Sequence, residues 1–426
     1  MDYGQAIVYL DNYNRSRIKP GLQRMERLLS LLGNPHLGQR YVHVAGTNGK
    51  GSTCKYIESI LTKAGCRVGV FTSPYLVKIN ENIRCNGRDI SDFDFAESMT
   101  MIAQALDKDT QLKSTISRFE IVTALGLLYY KDKCDVVVLE VGLGGLYDST
   151  NVINSPIMCV ITKIGLDHTE YLGNTIQSIA LEKSGIIKPN ATVVVAKQQY
   201  DEVIDIVRSV AHSKNAQVVY VGDNSVVVHE DETFDCANIA NISKSLKGIH
   251  QIDNAATAVT VGLQLSDMFG ITQSDIVQGI ADTYWPCRLE QVSSNPIIYI
   301  DGAHNIDGAT ALVDYLIYQH QGVKFKFVFG MLRDKDWQAI VQLIRPIVDI
   351  VYTVTPDNPR ALQAAELAEF LQSVGIQAQA CQDLQQASTV ALNQPKSEIV
   401  VVFGSLYMVG YLKQLLVQQL AQVSCI

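Results

Sequence analysis

The chain has 426 residues, 47% hydrophobic and 18% charged, a composition that suits a soluble globular protein and exceeds what a single core usually supports. No apolar run reaches the roughly 20 residues of a membrane span, and a net charge of −8 argues against a general nucleic-acid binder. Acidic Asp2 before a short, interrupted apolar run is not a secretory signal, so cytoplasmic residence is expected, with no membrane or nucleic-acid partner. The nine cysteines are scattered without a CxxC pair, and Cys54, Cys134 and Cys159 sit in apolar stretches, a distribution that points to neither disulfides nor structural zinc.

Two helices are predicted first, over Gly4–Tyr13 and after the turn Pro20-Gly21-Leu22, the second with Leu22, Met25, Leu28, Leu29 and Leu32 on one side. The stretch YVHVAGTNGKGSTCKYIESILTKAG at 41–65 then runs from an apolar strand through a glycine-rich turn into an amphipathic helix ended by Gly65. Gly46, Gly49 and Gly51 let the backbone approach an anion, and the helix opening near Ser52 offers N–H groups and the positive end of its dipole. Lys50 adds a mobile cation, and Ser52 or Thr53 a hydroxyl for magnesium. The strict P-loop spacing would require Gly at Val44 and Ser or Thr at Gly51, so this loop is a variant.

CRVGVF reads as the next buried strand and places Ser73 at its carboxyl edge, where ligands collect in parallel sheets and where a serine before proline is also an ordinary turn residue. Ser91 and Asp92 cap a helix to about Leu106, residues 107–117 read as a loop, and a helix follows over Phe119–Tyr130. Cys134–Val141 is a strand buried on both faces that Glu140 interrupts, which favours a carboxylate bound to a cation over one at the rim. GLGG and Asp148-Ser149-Thr150-Asn151 make the next loop. Ile157–Ile164 is a strand ending in Gly165-Leu166-Asp167-His168, where the histidine is a capping residue or a ligand; Lys183 reads as a late helix residue. Residues 191–231 alternate strand-like runs with a helix over 201–212, completing the first sheet with a hairpin-like edge, and a helix enters at Asp253. TYWPCRLEQVSSNP holds Arg288 in the expected boundary between domains. From Ile297 strands and helices alternate again, implying a smaller doubly wound domain whose first strand ends at Asp301 and His304. The expected division is 1–285, a linker over 286–296, and 297–426.

These motifs, in this order, resemble the folylpolyglutamate synthase and dihydrofolate synthase family of the Mur ligase superfamily. The resemblance rests on KPGL-R, GTNGKGS, TSPYL, RFEIVTA, EVGLGG with D-x-TN, LDHTEYLG with EKSGIIKP, HQ-x-x-NA, WPCRLE and DGAHN, and covers almost the whole chain. Cys287 stands where the family usually has glycine, and Leu146-Tyr147 where bifunctional bacterial members commonly have Arg-Leu.

The resemblance implies a two-domain Mur-ligase-like α/β fold: a P-loop N-terminal domain with a mostly parallel sheet, and a doubly wound C-terminal domain. It implies ATP with its phosphates on Gly46, Thr47, Asn48, Gly49, Lys50, Gly51 and Ser52, its base at Asn254, and further nucleotide contacts at Arg288 and Asp301. Ser73 and Glu140 would hold one magnesium ion. His168 would bind a second, supported by Lys183 carbamylated to N6-carboxylysine. Pro20, Gly21, Leu22, Phe119, Tyr147, Asp148 and Ser149 would line the folate pocket. The implied reaction is ATP-dependent addition of L-glutamate to a folate, to dihydropteroate or to both through an acyl phosphate, with Lys50, Lys183, Arg288 and His304 as catalytic groups and the protein a monomer. A Mur-type amide ligase with another carboxylate substrate and a P-loop small-molecule kinase are the alternatives.

Overall fold

The computed structural model describes residues 1–13, 21–222 and 225–423. They form two compact units: Met1–Pro74, Ile79–Ser245 and Ile252–Thr283 in one, Tyr75–Lys78, Leu246–Gln251 and Tyr284–Ile426 in the other.

The first unit is built on β1 (Tyr41–Ala45), β2 (Val68–Phe71), β3 (Ile83–Cys85), β4 (Arg88–Asp89), β5 (Val136–Glu140), β6 (Met158–Ile161), β7 (Thr192–Val195) and β8 (Gln217–Tyr220). Their order is β4-β3-β2-β5-β1-β6-β7-β8. The six from β2 to β8 are parallel, while β3 and β4 close one edge antiparallel. Strands β1, β5 and β6 are buried at every residue, as expected of apolar runs covered by helices on both faces. Register aligns Val44 with Glu140 and Ala45 with Ile161, so the loops after these three strands gather at one carboxyl edge.

Several sequence expectations change here. Residues 107–117 are not all loop: Thr110–Thr115 is a helix whose N-cap, Asp109, accepts from the Leu112 N–H at 3.0 Å. One and a half turns show too little periodicity to read. The run at 226–228 is not an edge of the first sheet. As β9 (Val226–Val228) it joins β10 (Phe234–Cys236) and β11 (Ile239–Ile242) in a separate three-stranded antiparallel sheet. The helix expected to enter at Asp253 starts at His250.

In the second unit β12 (Glu290–Ser294), β13 (Ile297–Ile300), β14 (Phe325–Phe329), β15 (Val348–Thr353), β16 (Gln377–Ala380) and β17 (Ile399–Phe403) take the order β12-β13-β17-β14-β15-β16. All pairs are parallel except β12 with β13. Residues 290–294 are therefore an edge strand of this sheet, although their polar run reads as linker. Strand alternation splits the core onto two faces. Phe325, Phe327, Phe329, Val401 and Phe403 pack with the helices Ile306–Gln319, Trp337–Ile344 and Ala364–Ser373. Ile298, Ile300, Val328, Val400 and Val402 pack with Leu384–Leu392 and Leu406–Val423. Polar β16 and the helix Leu384–Leu392 have no counterpart in the sequence expectation.

Phe329 stacks on Phe403 with ring centroids 4.8 Å apart, and both are fully buried. Phe329→Ala should destabilise the second unit by about 3–5 kcal/mol, through lost transfer energy plus the cavity left behind. Urea unfolding followed by a probe in that unit would register the loss as a lower midpoint.

Candidate active site

The phosphate loop follows β1 directly and the helix Lys50–Lys63 follows the loop, its first residue two positions before the opening expected near Ser52. Gly49 is its N-cap with φ +84°, and no side chain caps the first turn. This is the backbone an anion site needs: a left-handed residue that glycine adopts without strain, leading into helix N–H groups. The loop is braced by the residues that follow β6. Thr47 and Asn48 donate their N–H groups to the Lys163 carbonyl at 2.9 and 3.1 Å, and Thr162 Oγ1 donates to the Asn48 carbonyl at 2.8 Å. Asn254 is buried with its side chain against Gly49, where a Cβ would run into Asn254 Oδ1.

Two lysines converge on one loop carbonyl. Lys50 Nζ donates to the Gly46 and Thr47 carbonyls at 3.0 and 3.2 Å, and Lys183 Nζ donates to the Gly46 carbonyl at 2.9 Å. Lys183 is buried, and burial reinforced by the Lys50 charge pushes its pKa down to about 7. Asp167, Asp148 and Glu182 oppose that shift. Glu140 ends β5 as a buried carboxylate whose Oε2 accepts the Ser73 N–H at 3.1 Å. His168 has φ +53° and its side chain is 39% exposed, enough to reach a ligand from the loop, with Nε2 4.0 Å from Asp167 Oδ2.

Among the described residues no group of three or more His, Cys, Asp and Glu side chains forms a ready metal cage. The donors present still fit magnesium, which prefers hard oxygen ligands and usually keeps water and substrate phosphates in its shell, taking only one or two protein groups. Glu140 and the Ser73 hydroxyl belong to that class, and they lie at one strand edge.

Comparison with known proteins settles the family. Residues 44–262 match the Mur ligase middle domain and residues 287–406 the Mur ligase glutamate ligase domain. The chain is 35% identical to a dihydrofolate synthase/folylpolyglutamate synthase of Bacillus subtilis, covering 97% of this chain and 98% of the relative. It is 34% identical to a folylpolyglutamate synthase of Lacticaseibacillus casei, covering 98% and 99%. Among solved structures, Mycobacterium tuberculosis folylpolyglutamate synthase complexed with ADP matches with TM-score 0.87 at 30% identity, over 97% of this chain and 98% of that one. The chain belongs to the folylpolyglutamate/dihydrofolate synthase family of Mur ligases.

The remaining family positions fall into separate groups. Phe119, on the helix Arg118–Tyr130, lies 6.1 Å from Phe71 between ring centroids and covers Gly142, where a Cβ would come within 2.7 Å of ring atoms. Ser149 Oγ lies 3.0 Å from Thr123 Oγ1 of the same helix. Asp148 is buried with both oxygens turned onto its own loop: Oδ2 accepts the Leu143 N–H, and Oδ1 accepts the Thr150 N–H and hydroxyl. Burial raises its pKa against those hydrogen bonds. Tyr147 points outward, 53% exposed. Gly21 has φ +119° and Leu22 is the N-cap of the helix Gln23–Leu31, whereas Pro20 lies outside the described residues.

Arg288, Asp301 and His304 belong to the second unit. Arg288 Nη1 donates to the Cys287 carbonyl at 2.9 Å, and its charge opposes the upward shift that burial gives Asp301. Asp301 accepts the Leu289 and Ala303 N–H groups at 2.8 and 2.7 Å. His304 Nδ1 lies 2.9 Å from the Gly302 carbonyl and donates to it. Cys287 is buried at φ +57° and Leu289 has φ +45°, so the turn that suits the family's usual glycine persists in this chain with non-glycine residues.

One functional group is absent from the sequence expectation. His43, buried in β1, has Nε2 2.9 Å from Thr150 Oγ1, and that hydroxyl bonds Asp148 Oδ1 at 2.5 Å. Because the hydroxyl gives its proton to the carboxylate, His43 must be the donor to Thr150. Burial, followed by Lys188, pushes the His43 pKa down to about 3, which keeps it neutral. The strand under the phosphate loop is thereby tied to the 142–151 loop. An isolated histidine in an apolar strand gives no sign of this, and only the pairing of distant segments reveals it.

Proposed function

We infer that this chain is an ATP-dependent ligase that joins L-glutamate to folates through an acyl-phosphate intermediate, and that dihydropteroate is a second acceptor. The observation that supports it best is the convergence of Lys50 and Lys183 on the phosphate loop, beside the carboxyl edge that carries Glu140 and Ser73.

A free carboxylate is a poor electrophile, so the acceptor's carboxylate oxygen first attacks the γ-phosphorus of ATP and ADP leaves. Loop N–H groups and Lys50 position the phosphates, and Lys50 and Arg288 neutralise the charge spread over the transferring phosphoryl group. The glutamate amine then attacks the acyl carbonyl and phosphate departs. His304 takes the amine proton: with Nδ1–H held by the Gly302 carbonyl, Nε2 is its basic nitrogen. Asn254 contacts the base and Asp301 the nucleotide.

We assign two magnesium sites, one to Ser73 and Glu140, the other to His168 with carbamylated Lys183. Magnesium there would offset phosphate charge. Phe119, Gly21, Leu22, Tyr147, Asp148 and Ser149 form the folate pocket in this reading, and the protein acts as a monomer in the cytoplasm. Its relatives support the substrates: an Escherichia coli structure in complex with DHPP and ADP matches with TM-score 0.86 at 30% identity, covering 100% of this chain and 99% of that one.

The deciding experiment is phosphate release from magnesium-ATP and L-glutamate with dihydropteroate or tetrahydrofolate as acceptor, with mass spectrometry of the products. Ligation to both is expected. Ligation to one alone narrows the activity, and ligation to neither removes the folate assignment. Within the pocket, Gly142→Ala would press a methyl group onto the Phe119 ring. The KM for the folate acceptor should rise about 10- to 100-fold, with the KM for ATP unchanged, as steady-state kinetics with each substrate varied would reveal.

A further inference from the structure

We propose that Cys85 and Cys134 form a redox-sensitive dithiol, a modification site that a hydroperoxide converts to a disulfide. Their sulfurs lie 3.3 Å apart although the residues are 49 positions apart in sequence, a proximity that no cysteine spacing announces. Cys85 ends β3 and pairs with Gly69 of β2, while Cys134 precedes β5 on the other side of β2. Gly69 leaves room for the Cys134 side chain. A Cβ there would lie 3.0 Å from Cys134 Sγ and 2.7 Å from the Tyr130 ring.

The two thiols are not equivalent. A hydrogen bond from Cys134 pushes the Cys85 pKa down to about 7, with Lys133 and Arg67 acting in the same direction, whereas Cys134 is pushed up by that same bond and by burial. Cys85 is therefore the thiolate and attacking group, and Cys134 the resolving thiol. Cys85 is half-buried and so the more accessible of the two, whereas Cys134 is buried at the edge of an open polar cavity of about 410 Å³ lined also by Gln39, Arg40, Arg67 and Asp135.

In the first step the Cys85 thiolate attacks the terminal oxygen of the hydroperoxide. The O–O bond breaks, leaving Cys85 sulfenic acid and an alkoxide or hydroxide that takes up the proton lost by the thiol. The Cys134 sulfur then attacks the Cys85 sulfur, the S–O bond breaks, and hydroxide leaves as water with the Cys134 proton. Two thiols are oxidised and one peroxide is reduced.

The test treats the full chain with hydrogen peroxide, alkylates the remaining thiols after denaturation, and maps the peptides. The expected product links the Cys85 and Cys134 peptides, is reversed by dithiothreitol, and forms ~tenfold faster than Cys66 is lost, since Cys66 is also half-buried but has its thiol raised by burial. Cys134→Ser should halt at a Cys85 sulfenic acid captured by dimedone, and Cys85→Ser should leave Cys134 unreacted. Loss of Cys85 no faster than Cys66, or a folded Cys134→Ser chain with no dimedone adduct at Cys85, would overturn the proposal.

Discussion

Lys183→Ala is expected to lower ligase turnover by about 10²–10³-fold while leaving nucleotide affinity within a few-fold. The side chain is buried, with Nζ 2.9 Å from the Gly46 carbonyl, and its pKa of about 7 leaves roughly half of it as neutral amine near neutrality. Only the neutral amine adds to carbon dioxide, forming an N–C bond and releasing a proton. The proposed carbamate should therefore accumulate as pH rises through about 7, and wild-type turnover should fall in buffer stripped of carbon dioxide and recover with bicarbonate. The alanine variant should ignore both treatments. Equal dependence in the two proteins would remove the modification from the mechanism. Stability carries the same signature in carbon-dioxide-free buffer. The folded pKa is about 7 against an ordinary 10.5, so between those values the unfolded chain binds a proton that the folded chain does not. Stability must then rise with pH across that window, and Lys183→Met should flatten the rise.

Lys50→Ala should reduce kcat by about 10²–10³-fold with a smaller loss of ATP affinity, because the lost charge acts mainly on the phosphoryl group in transfer. The ammonium lies 3.0 and 3.2 Å from the Gly46 and Thr47 carbonyls, held over the loop by a flexible stem. Lys50→Arg should not restore the rate, since a rigid planar fork cannot replace a compact point charge against two carbonyls. Single-turnover phosphate release separates the chemical step from binding, and calorimetry of ATP binding gives the affinity. An alanine variant with normal single-turnover rate and weakened affinity would reassign Lys50 to binding alone.

The parts of this site that are legible in sequence are those written in contiguous residues. The apolar runs of β1 and β5, the glycines of the loop and a carboxylate at a buried strand end each carry their physical reason within a few positions. The bridge from His43 through Thr150 to Asp148 does not, because it joins segments 107 residues apart through side chains that look unremarkable alone. Strand β12 escapes for another reason: Gln291, Ser293 and Ser294 can be polar at an edge where only one neighbour pairs. The helix Thr110–Thr115 is too short for apolar spacing to distinguish it from a turn. Val226–Val228 reads as a strand correctly, but an edge run of three residues holds no information about which sheet receives it.

The two units are threaded rather than strung in series, since the chain passes between them at 74/75, 78/79, 245/246, 251/252 and 283/284. The segment 75–78 is integral to the second unit: Leu76 joins the core around Val400 and Val402, its carbonyl faces Gly410, and the Val77 carbonyl accepts the Tyr411 hydroxyl at 3.3 Å. A chimera made by exchanging everything after residue 285 with a relative would pair a foreign helix 406–423 with the native Leu76 and Val77. Compatible grafts must exchange 75–78 and 246–251 together with the C-terminal stretch. During synthesis the same threading delays the second core, because residues made early wait until Gly410 and Tyr411 have emerged before they have anything to pack against.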